Sequence, residues 1–312
     1  MSDASLTTEK SWDADIELPA ARSNRKLTIG KRIEAALFLS TLKLLKLLSI
    51  EQAADLMGRI LRTVGPFISA VHKRGDANLK LIYPEMTDAE RSAILRDVWD
   101  NFGRIAAEYA HLGELPDRIT IENIEVMEPY AHGRDQAVFV SGHFANWEAL
   151  GATMKKAGIQ GATVYRAPNN RLVDEHIIGL RAEHSGRLQI PKGKRGGRQL
   201  LQALKDGYCL QMLVDQKLND GIEVPLLGHP AMTAPAAARL AKKHNLPIIP
   251  VQLTRRPGSR FVATVHEPID TSKDSVEDLT AQVNEVLGSF ILARPDQWLW
   301  FHRRWPADIT PS

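Results

Sequence analysis

The sequence predicts an α/β fold, with a mixed, largely parallel sheet flanked by helices and an N-terminal helical region in front of it. Two observations indicate this class. Up to about residue 113 the apolar residues recur with a helical period, and beyond residue 136 short apolar runs alternate with helical stretches. Strands that alternate with helices are typical of a sheet covered on both faces. With 44% hydrophobic residues, the 312-residue chain can bury a full core.

Composition divides the chain into three regions. Residues 1–28 are polar and rich in acidic residues, so we expect a flexible tail rather than a secretory signal, which needs a basic start and an apolar run. Residues 29–115 form the predicted N-terminal helical, membrane-associating region. Residues 116–312 form the predicted α/β core, which we expect to be one continuous domain with the helical region.

The segment 34–50, "EAALFLSTLKLLKLLSI", is the most apolar helix candidate. It is shorter than the run of about 20 apolar residues that spans a bilayer. Lys43 and Lys46 interrupt it and fall with Ser40 on one narrow stripe of a helix. Either the helix packs into the protein, or it lies in a membrane interface with its lysines at the lipid headgroups. One helix can do both, with one face for each.

The remaining elements follow in chain order. Thr87 or Asp88 can cap the clearest helix, 87–110. The predicted strands are 137–140, 162–166, 208–214, 247–253 and 260–266. The predicted helices beyond the helical region are 146–157, 171–184, 197–205, 234–244 and 276–293. Residues 298–305, "WLWFHRRW", alternate with a period of two, which favours a strand lying either in the core or at a membrane interface.

Charge and residue counts limit the classes of function. A net charge of +3 permits an anionic partner without indicating nucleic acid. The single cysteine, Cys209, excludes an internal disulfide and a cysteine-cluster metal site. No Walker loop or glycine-rich dinucleotide fingerprint is present, so nothing indicates a nucleotide cofactor. Apart from His143, the histidines show no ligand spacing, and we interpret them, His302 included, as structural or surface residues.

His143 and Glu148 form the candidate catalytic pair. They lie in "SGHFANWEAL", where the predicted strand 137–140 gives way to a helix near Asn146. On a continuous helix a gap of five residues would separate them by about 140°, so they can meet only across a turn. There His143 could present one ring nitrogen to a substrate hydroxyl while Glu148 holds the other. On spacing alone, such a pair is more often two unrelated surface or cap residues.

Several blocks in order give the pair its context. After the His143 block come "VYRAPNN", "LVDQKLNDGIEVPLLGHPAMT", "LPIIPVQLTR" and "WLWFHRRW". Together they resemble the late acyltransferases of lipid A biosynthesis, the lauroyl/myristoyl-type enzymes of the lysophospholipid acyltransferase superfamily, over about residues 30 to 306. Many relatives in the superfamily have Asp where this chain has Glu148, whereas the lipid A branch commonly has Glu.

The resemblance implies an activity. A fatty acyl chain would pass from an acyl carrier protein thioester to a hydroxyl of a lipid A precursor, with no metal and no other cofactor. His143 would be the general base and Glu148 its orienting partner. Backbone amides near Asn146 would bind the oxyanion. The implied partners are acyl carrier protein, a Kdo-bearing lipid A precursor and a membrane surface, with no nucleic acid. The implied location is the cytoplasmic face of a bacterial inner membrane, with the protein peripheral or monotopic.

Other polar residues are weaker candidates for the same site. Arg166 is either a solvated strand end or a clamp on a phosphate or glucosamine oxygen of the acceptor. Arg181 is carried over from the family as a residue of the active site. Asp215 either caps a turn or positions Arg166, Arg181 or the acceptor. The basic stretch 191–204 is either a solvated loop or an anion site at the start of a helix.

Three alternatives stay open. The same chemistry could act on a lysophospholipid or another glycerolipid. A metal-dependent hydrolase could use His143 and Glu148 as ligands, although no third ligand has fitting spacing. A non-catalytic protein could bind membranes through residues 34–50.

Overall fold

The computed structural model describes residues 27–311, so all but the last two residues of the predicted tail 1–28 lie outside the described part. The helices are α1 (Ile29–Leu45), α2 (Ile50–Val64), α3 (Ser69–Ile82), α4 (Asp88–Glu108), α5 (Ala149–Lys156), α6 (Arg171–His184), α7 (Lys194–Lys205), α8 (Ala236–His244) and α9 (Val276–Ala293). The strands are β1 (Ile119–Glu122), β2 (Val138–Ser141), β3 (Gly161–Tyr165), β4 (Gln189–Pro191), β5 (Cys209–Leu213), β6 (Lys217–Leu226), β7 (His229–Thr233), β8 (Ile248–Arg256) and β9 (Arg260–Val265).

Seven strands form one mixed, largely parallel sheet. Their order is β1-β9-β8-β2-β5-β3-β4, and only the β8–β9 pair is antiparallel. This confirms the predicted fold class. β6 and β7 form a separate antiparallel hairpin.

Helices cover both faces of the sheet. α5 leads from β2 past β5 to β3, and α7 returns the other way, from β4 past β3 to β5. Because parallel crossovers are right-handed, connections that run in opposite directions along the sheet lie on opposite faces. The carboxyl ends of β2, β3, β4 and β5 therefore open at one edge between two helical layers, where sites in such sheets gather.

The N-terminal region is helical, as predicted, but the segment 34–50 is not one helix. α1 ends at Leu45, and Ser49 starts α2 by accepting a hydrogen bond from the Gln52 amide while the Gln52 side chain accepts one from the Ser49 amide. Because this capping box starts a new helix at Ser49, α1 does not continue through residue 50. Thr87 and Glu90 start α4 with the same device, as the Thr87 cap predicted.

One hydrophobic core joins the helical region to the sheet. Leu79 of α3 and Leu95 and Trp99 of α4 belong to the same buried cluster as Phe139 of β2. Trp99 also fills the space beside Gly65, where an added Cβ would come within 2.2 Å of the indole. This cluster contains residues from both sides of residue 115, where the sequence predicts the boundary between the helical region and the α/β core. That boundary remains a prediction.

The predicted strand at 298–305 is wrong. Apart from one bridge between Phe144 and Trp298, the segment turns without strand pairing. Its polar groups find partners elsewhere: the Trp300 indole donates to the Pro295 carbonyl at 2.8 Å, and buried Arg304 donates to the Met232 carbonyl at 3.0 Å. Period-two alternation here reflects a buried loop, and the burial of its tryptophans favours the core interpretation over a membrane belt.

None of the helices between residues 27 and 311 has the length and apolarity that crossing a bilayer requires.

A buried ion pair ties α4 to the sheet, and its removal should be costly. Glu108 is fully buried and accepts hydrogen bonds from Arg255 of β8 and from Asn146. Replacing Glu108 with alanine should lower the free energy of unfolding by about 3–5 kcal/mol, because it leaves the Arg255 guanidinium in the interior without its carboxylate. Chemical denaturation measures this. The exposed Glu125→Ala should stay within about 0.5 kcal/mol of the wild type. A loss below about 1 kcal/mol for Glu108→Ala would contradict the structural role of the pair.

Candidate active site

The register of two neighbouring strands brings His143 to Asp215. β2 and β5 are parallel and pair Ser141 with Leu213, so two further residues along each strand place His143 beside Asp215. The His143 amide donates to Asp215 Oδ2 at 2.8 Å, and His143 Nδ1 lies 2.7 Å from Asp215 Oδ1. Glycine is required at 142, because a Cβ there would meet the Phe144 ring at 2.6 Å.

Asp215 is a buried carboxylate with three hydrogen-bond donors around it. Its third donor is the Trp298 indole, at 2.8 Å from Oδ2. Burial by itself would raise the pKa of Asp215, but the charge interaction with His143 and the hydrogen bonds from His143 and Trp298 outweigh it and hold the pKa well below its usual range. Asp215 therefore stays ionised and keeps the Nδ1 hydrogen of His143 turned inward.

Glu148 does not hold His143, and this expectation is corrected. Its carboxylate accepts two hydrogen bonds from Arg181, at 2.8 and 2.5 Å, and one from the Tyr109 hydroxyl at 2.6 Å. Burial would raise the pKa of Glu148, yet Arg181 and Tyr109 keep it lowered. The acid expected to orient His143 instead fixes Arg181, and Asp215, expected to position an arginine or the acceptor, orients His143.

Asn146 has a structural position. The side chain is fully buried; its Nδ2 donates to Glu108 at 2.8 Å and its Oδ1 accepts from the Glu148 amide at 3.0 Å. Asn146 does not line the cavity described below. The binding of an oxyanion by backbone amides near it remains a prediction. The helix starts at Ala149 rather than near Asn146, and the amides of Ala145 and Glu148 already have partners, Gln297 O and Asn146 Oδ1.

A cavity of about 250 Å³ opens above these groups at the carboxyl edge of the sheet. It is lined by residues from four predicted blocks. The predicted site residues on its wall are His143, Glu148, Arg166 and Arg181. The His143 ring faces Trp147, with their ring centroids 5.2 Å apart. The structure thus brings four of the six predicted residues to one cavity, with Asp215 directly behind His143 and Asn146 apart.

The rim of the cavity is cationic. Arg166 and Lys192 are exposed there, and within residues 27–311 neither has an ion-pair partner. Partial desolvation lowers the pKa of Lys192, and the nearby Arg166 lowers it further against the opposing charge of Asp215. Two neighbouring cations without carboxylates are suited to an anionic ligand.

The cavity is also lined by Gln216 and by His302, which sequence reasoning missed. The interpretation of His302 as a structural or surface residue is wrong: its ring lies 5.6 Å from that of His143. The sequence did contain a signal for His302. It is the first residue of "HRRW", which is part of the family resemblance, but no role was assigned to that block. Among the described residues, no group of three or more His, Cys, Asp or Glu side chains is arranged to hold a metal ion.

Comparison with known proteins gives consistent findings. The family model for bacterial lipid A biosynthesis acyltransferases matches residues 21–307. A lipid A biosynthesis myristoyltransferase of Escherichia coli (strain K12) is 24% identical over 271 residues, which are 82% of this chain and 83% of that protein. A lipid A biosynthesis lauroyltransferase of the same strain is 27% identical over 242 residues, 73% of this chain and 76% of that protein.

Among solved structures, a 1-acyl-sn-glycerophosphate acyltransferase from Thermotoga maritima aligns with 86% of this chain and 99% of its own, at 16% identity and a TM-score of 0.40.

The buried Asp215 carboxylate should make stability depend on pH. The pKa of Asp215 is lowered in the folded state. Its contribution to the free energy of unfolding is therefore complete above the pKa of an unfolded aspartate, about 3.9, and is lost as the pH falls below that value towards the lowered pKa. Asp215→Asn should therefore lower the free energy of unfolding by about 1.5–3 kcal/mol at pH 7. The difference in the free energy of unfolding between Asp215→Asn and the wild type should be smaller at pH 3.

Denaturant unfolding at pH 7 and pH 3 checks this. The exposed Asp220→Asn serves as control and should match the wild type within about 0.5 kcal/mol at both values. A gap for Asp215→Asn that stays constant between the two pH values would show that the carboxylate is not held ionised.

Proposed function

The chain belongs to the bacterial lipid A biosynthesis acyltransferase family, and from that premise we propose that it moves a fatty acyl chain from an acyl carrier protein thioester to a hydroxyl of a Kdo-bearing lipid A precursor. Acyl transfer in lipid A biosynthesis follows from the family. The donor, the acceptor and the roles of single residues are the proposal. The observation that carries it is His143 at the cavity wall, with Nδ1 tied to buried Asp215 and Nε2 beside Gln216, which also lines the cavity.

His143 is the proposed general base. Its Nε2 takes the proton of the acceptor hydroxyl while the hydroxyl oxygen attacks the thioester carbonyl. The tetrahedral intermediate then collapses, the C–S bond breaks, and the imidazolium returns the proton to the thiolate of the donor. Asp215 stabilises the imidazolium through the 2.7 Å contact to Nδ1. No covalent bond to the enzyme forms in this sequence.

Arg181 is the proposed electrostatic partner of the oxyanion. It lies on the cavity wall with its guanidinium held by two hydrogen bonds to Glu148. A cation fixed in place stabilises developing charge without having to reorganise during the reaction. Glu148 and Tyr109 act through Arg181, so they are positioning residues.

Arg166 and Lys192 are the proposed contacts to the acceptor. Lipid A precursors of the proposed kind carry anionic groups, and a planar guanidinium binds phosphate or carboxylate oxygens in pairs. Both cations lie at the rim of the cavity that holds His143, so an anionic headgroup there would leave its hydroxyl near Nε2. The exposed Arg198 of α7 adds basic surface for the acidic acyl carrier protein.

The helical region supports a membrane-bound location. Four large apolar residues of α1 are 55–78% exposed, and steps of four and seven residues put them on one face: Ile29, Ile33, Leu37 and Leu44. α2 repeats this pattern with Leu56, Ile60 and Val64, and Phe67 follows at 83% exposure. A patch of this kind is typical of membrane or protein contact. We propose peripheral or monotopic binding to the cytoplasmic face of a bacterial inner membrane.

An acyl transfer assay tests the reaction. Purified enzyme, a panel of acyl carrier protein thioesters and a Kdo-bearing tetraacyl lipid A precursor should give one added acyl chain by mass spectrometry. His143→Ala should lower kcat by at least about 100-fold, because the hydroxyl loses its base. The exposed His244→Ala should keep wild-type turnover.

Two outcomes would contradict the assignment. Near-normal turnover in folded His143→Ala would remove the general base. Transfer to a lysophospholipid but not to the lipid A precursor would move the acceptor to the glycerolipid alternative.

Vesicle binding tests the location. The double variant Leu37→Ser and Leu44→Ser removes two exposed leucines of α1 and should weaken co-sedimentation with phosphatidylglycerol vesicles by about tenfold or more. Leu292→Ser, which changes a similarly exposed leucine of α9, should bind as the wild type does. Equal binding by all three proteins would exclude α1 as the contact.

A further inference from the structure

Gln216 joins two histidines of the cavity. It follows Asp215 directly, and its Nε2 lies 3.0 Å from Nε2 of His143 and 3.0 Å from Nε2 of His302. Both distances are those of ordinary hydrogen bonds. An amide nitrogen carries two hydrogens, so it can donate one to each ring.

These contacts define the protonation of both rings. The Asp215 carboxylate can only accept, so His143 carries its hydrogen on Nδ1 and a lone pair on Nε2. The Gln216 nitrogen can only donate, so His302 also presents a lone pair at Nε2. Burial, with a smaller contribution from the charge interaction with His143, lowers the pKa of His302 to about 4, which agrees with a neutral ring near pH 7.

We propose that Gln216, anchored by His302, is a positioning residue that holds the catalytic base in its neutral form by donating to the Nε2 lone pair, a place that the acceptor hydroxyl takes when it binds. This rests on the proposed function, in which His143 is the base. The carboxylate of Asp215 favours the imidazolium, whereas an N–H donor at Nε2 can bond only the neutral ring. Gln216 therefore opposes Asp215 while the site is empty, and its hydrogen bond to Nε2 breaks when the acceptor hydroxyl takes its place and gives its proton to the same lone pair.

His302 is itself held firmly enough to act as an anchor. Asn78 is buried in α3, and its Nδ2 donates at 2.7 Å to the carbonyls of both Trp300 and His302. Arg74 donates to the Phe301 carbonyl at 3.0 Å. These bonds fix the backbone carbonyls of residues 300–302, so the Gln216 amide has a defined second acceptor.

Charged groups from several elements face this pair and set the size of the expected effect. Asp215 lies behind His143, and the charges of Lys192 and Arg74 act on His302. Arg166 and the Arg181–Glu148 pair line the same cavity. A carboxylate placed at position 216 would contact His143 directly but would be partly offset by these cations.

The experiment compares Gln216→Glu with Gln216→Met, two substitutions of similar size. The titration of His143 is followed by NMR with 13C-labelled histidine in the full-length enzyme, and kcat/KM is measured against pH with the acyl carrier protein thioester. Glu should move both the His143 midpoint and the acidic limb of the pH–rate profile up by about one pH unit or more, since a carboxylate favours the imidazolium. Met, which only removes the donor, should give a smaller shift in the same direction.

The outcomes separate this proposal from the proposed function. If the NMR midpoint of His143 does not move in folded Gln216→Glu, the contact between Gln216 and His143 is absent and the proposal is overturned. If the midpoint moves but the pH–rate profile does not, His143 is not the base, and the proposed function fails instead. If both variants lose activity equally at every pH with unchanged midpoints, Gln216 is only structural.

Discussion

The parallel register between β2 and β5 is the constraint on which the site depends. It pairs Ser141 with Leu213, and the Val214 amide continues the ladder by donating to the Ser141 carbonyl at 3.0 Å. Both strands end at the carboxyl edge of the sheet, so His143 and Asp215 meet there although they are 72 residues apart in the sequence. A slip of one residue would turn the following side chains to opposite faces and end the contact. The catalytic geometry is therefore a consequence of sheet pairing rather than of the local loop.

Three buried carboxylates then fix the loop that carries His143. Asp215 holds the histidine, Glu148 holds Arg181, and Glu108 holds both Arg255 and Asn146. Each acid comes from a different part of the chain and has its own cationic or imidazole partner, because an unpaired charge in the interior is strongly unfavourable. Breaking any one of these pairs would leave a buried charge without its partner. The loop is thus held in one arrangement by charge as well as by packing.

Sequence reasoning predicted the elements better than their connections. α6 and α9 match the predicted 171–184 and 276–293, because helix period and caps are local signals. β1, β4 and the β6–β7 hairpin were missed, since the first two are only 4 and 3 residues long and the hairpin is largely exposed. His143 could be singled out from its place at a strand end. Its true partner could not, because spacing along the chain pointed to Glu148 while the pairing of distant strands selected Asp215.

Period-two alternation wrongly predicted a strand at 298–305. The buried segment that the structure shows there connects the helical region to the sheet. The segment lies between the helical region and the sheet: Phe301 packs against Trp99 of α4 with 4.3 Å between ring centroids, while Trp298 donates to Asp215. Trp99 in turn fills the space beside Gly65, next to the exposed Phe67. The segment therefore connects α4, through Phe301 and the backbone that follows Trp298, to the carboxylate behind His143. Because interiors are densely packed, a displacement of α4 against the sheet would have to move this segment as well. The position of α4 and the position of the cavity are consequently set together.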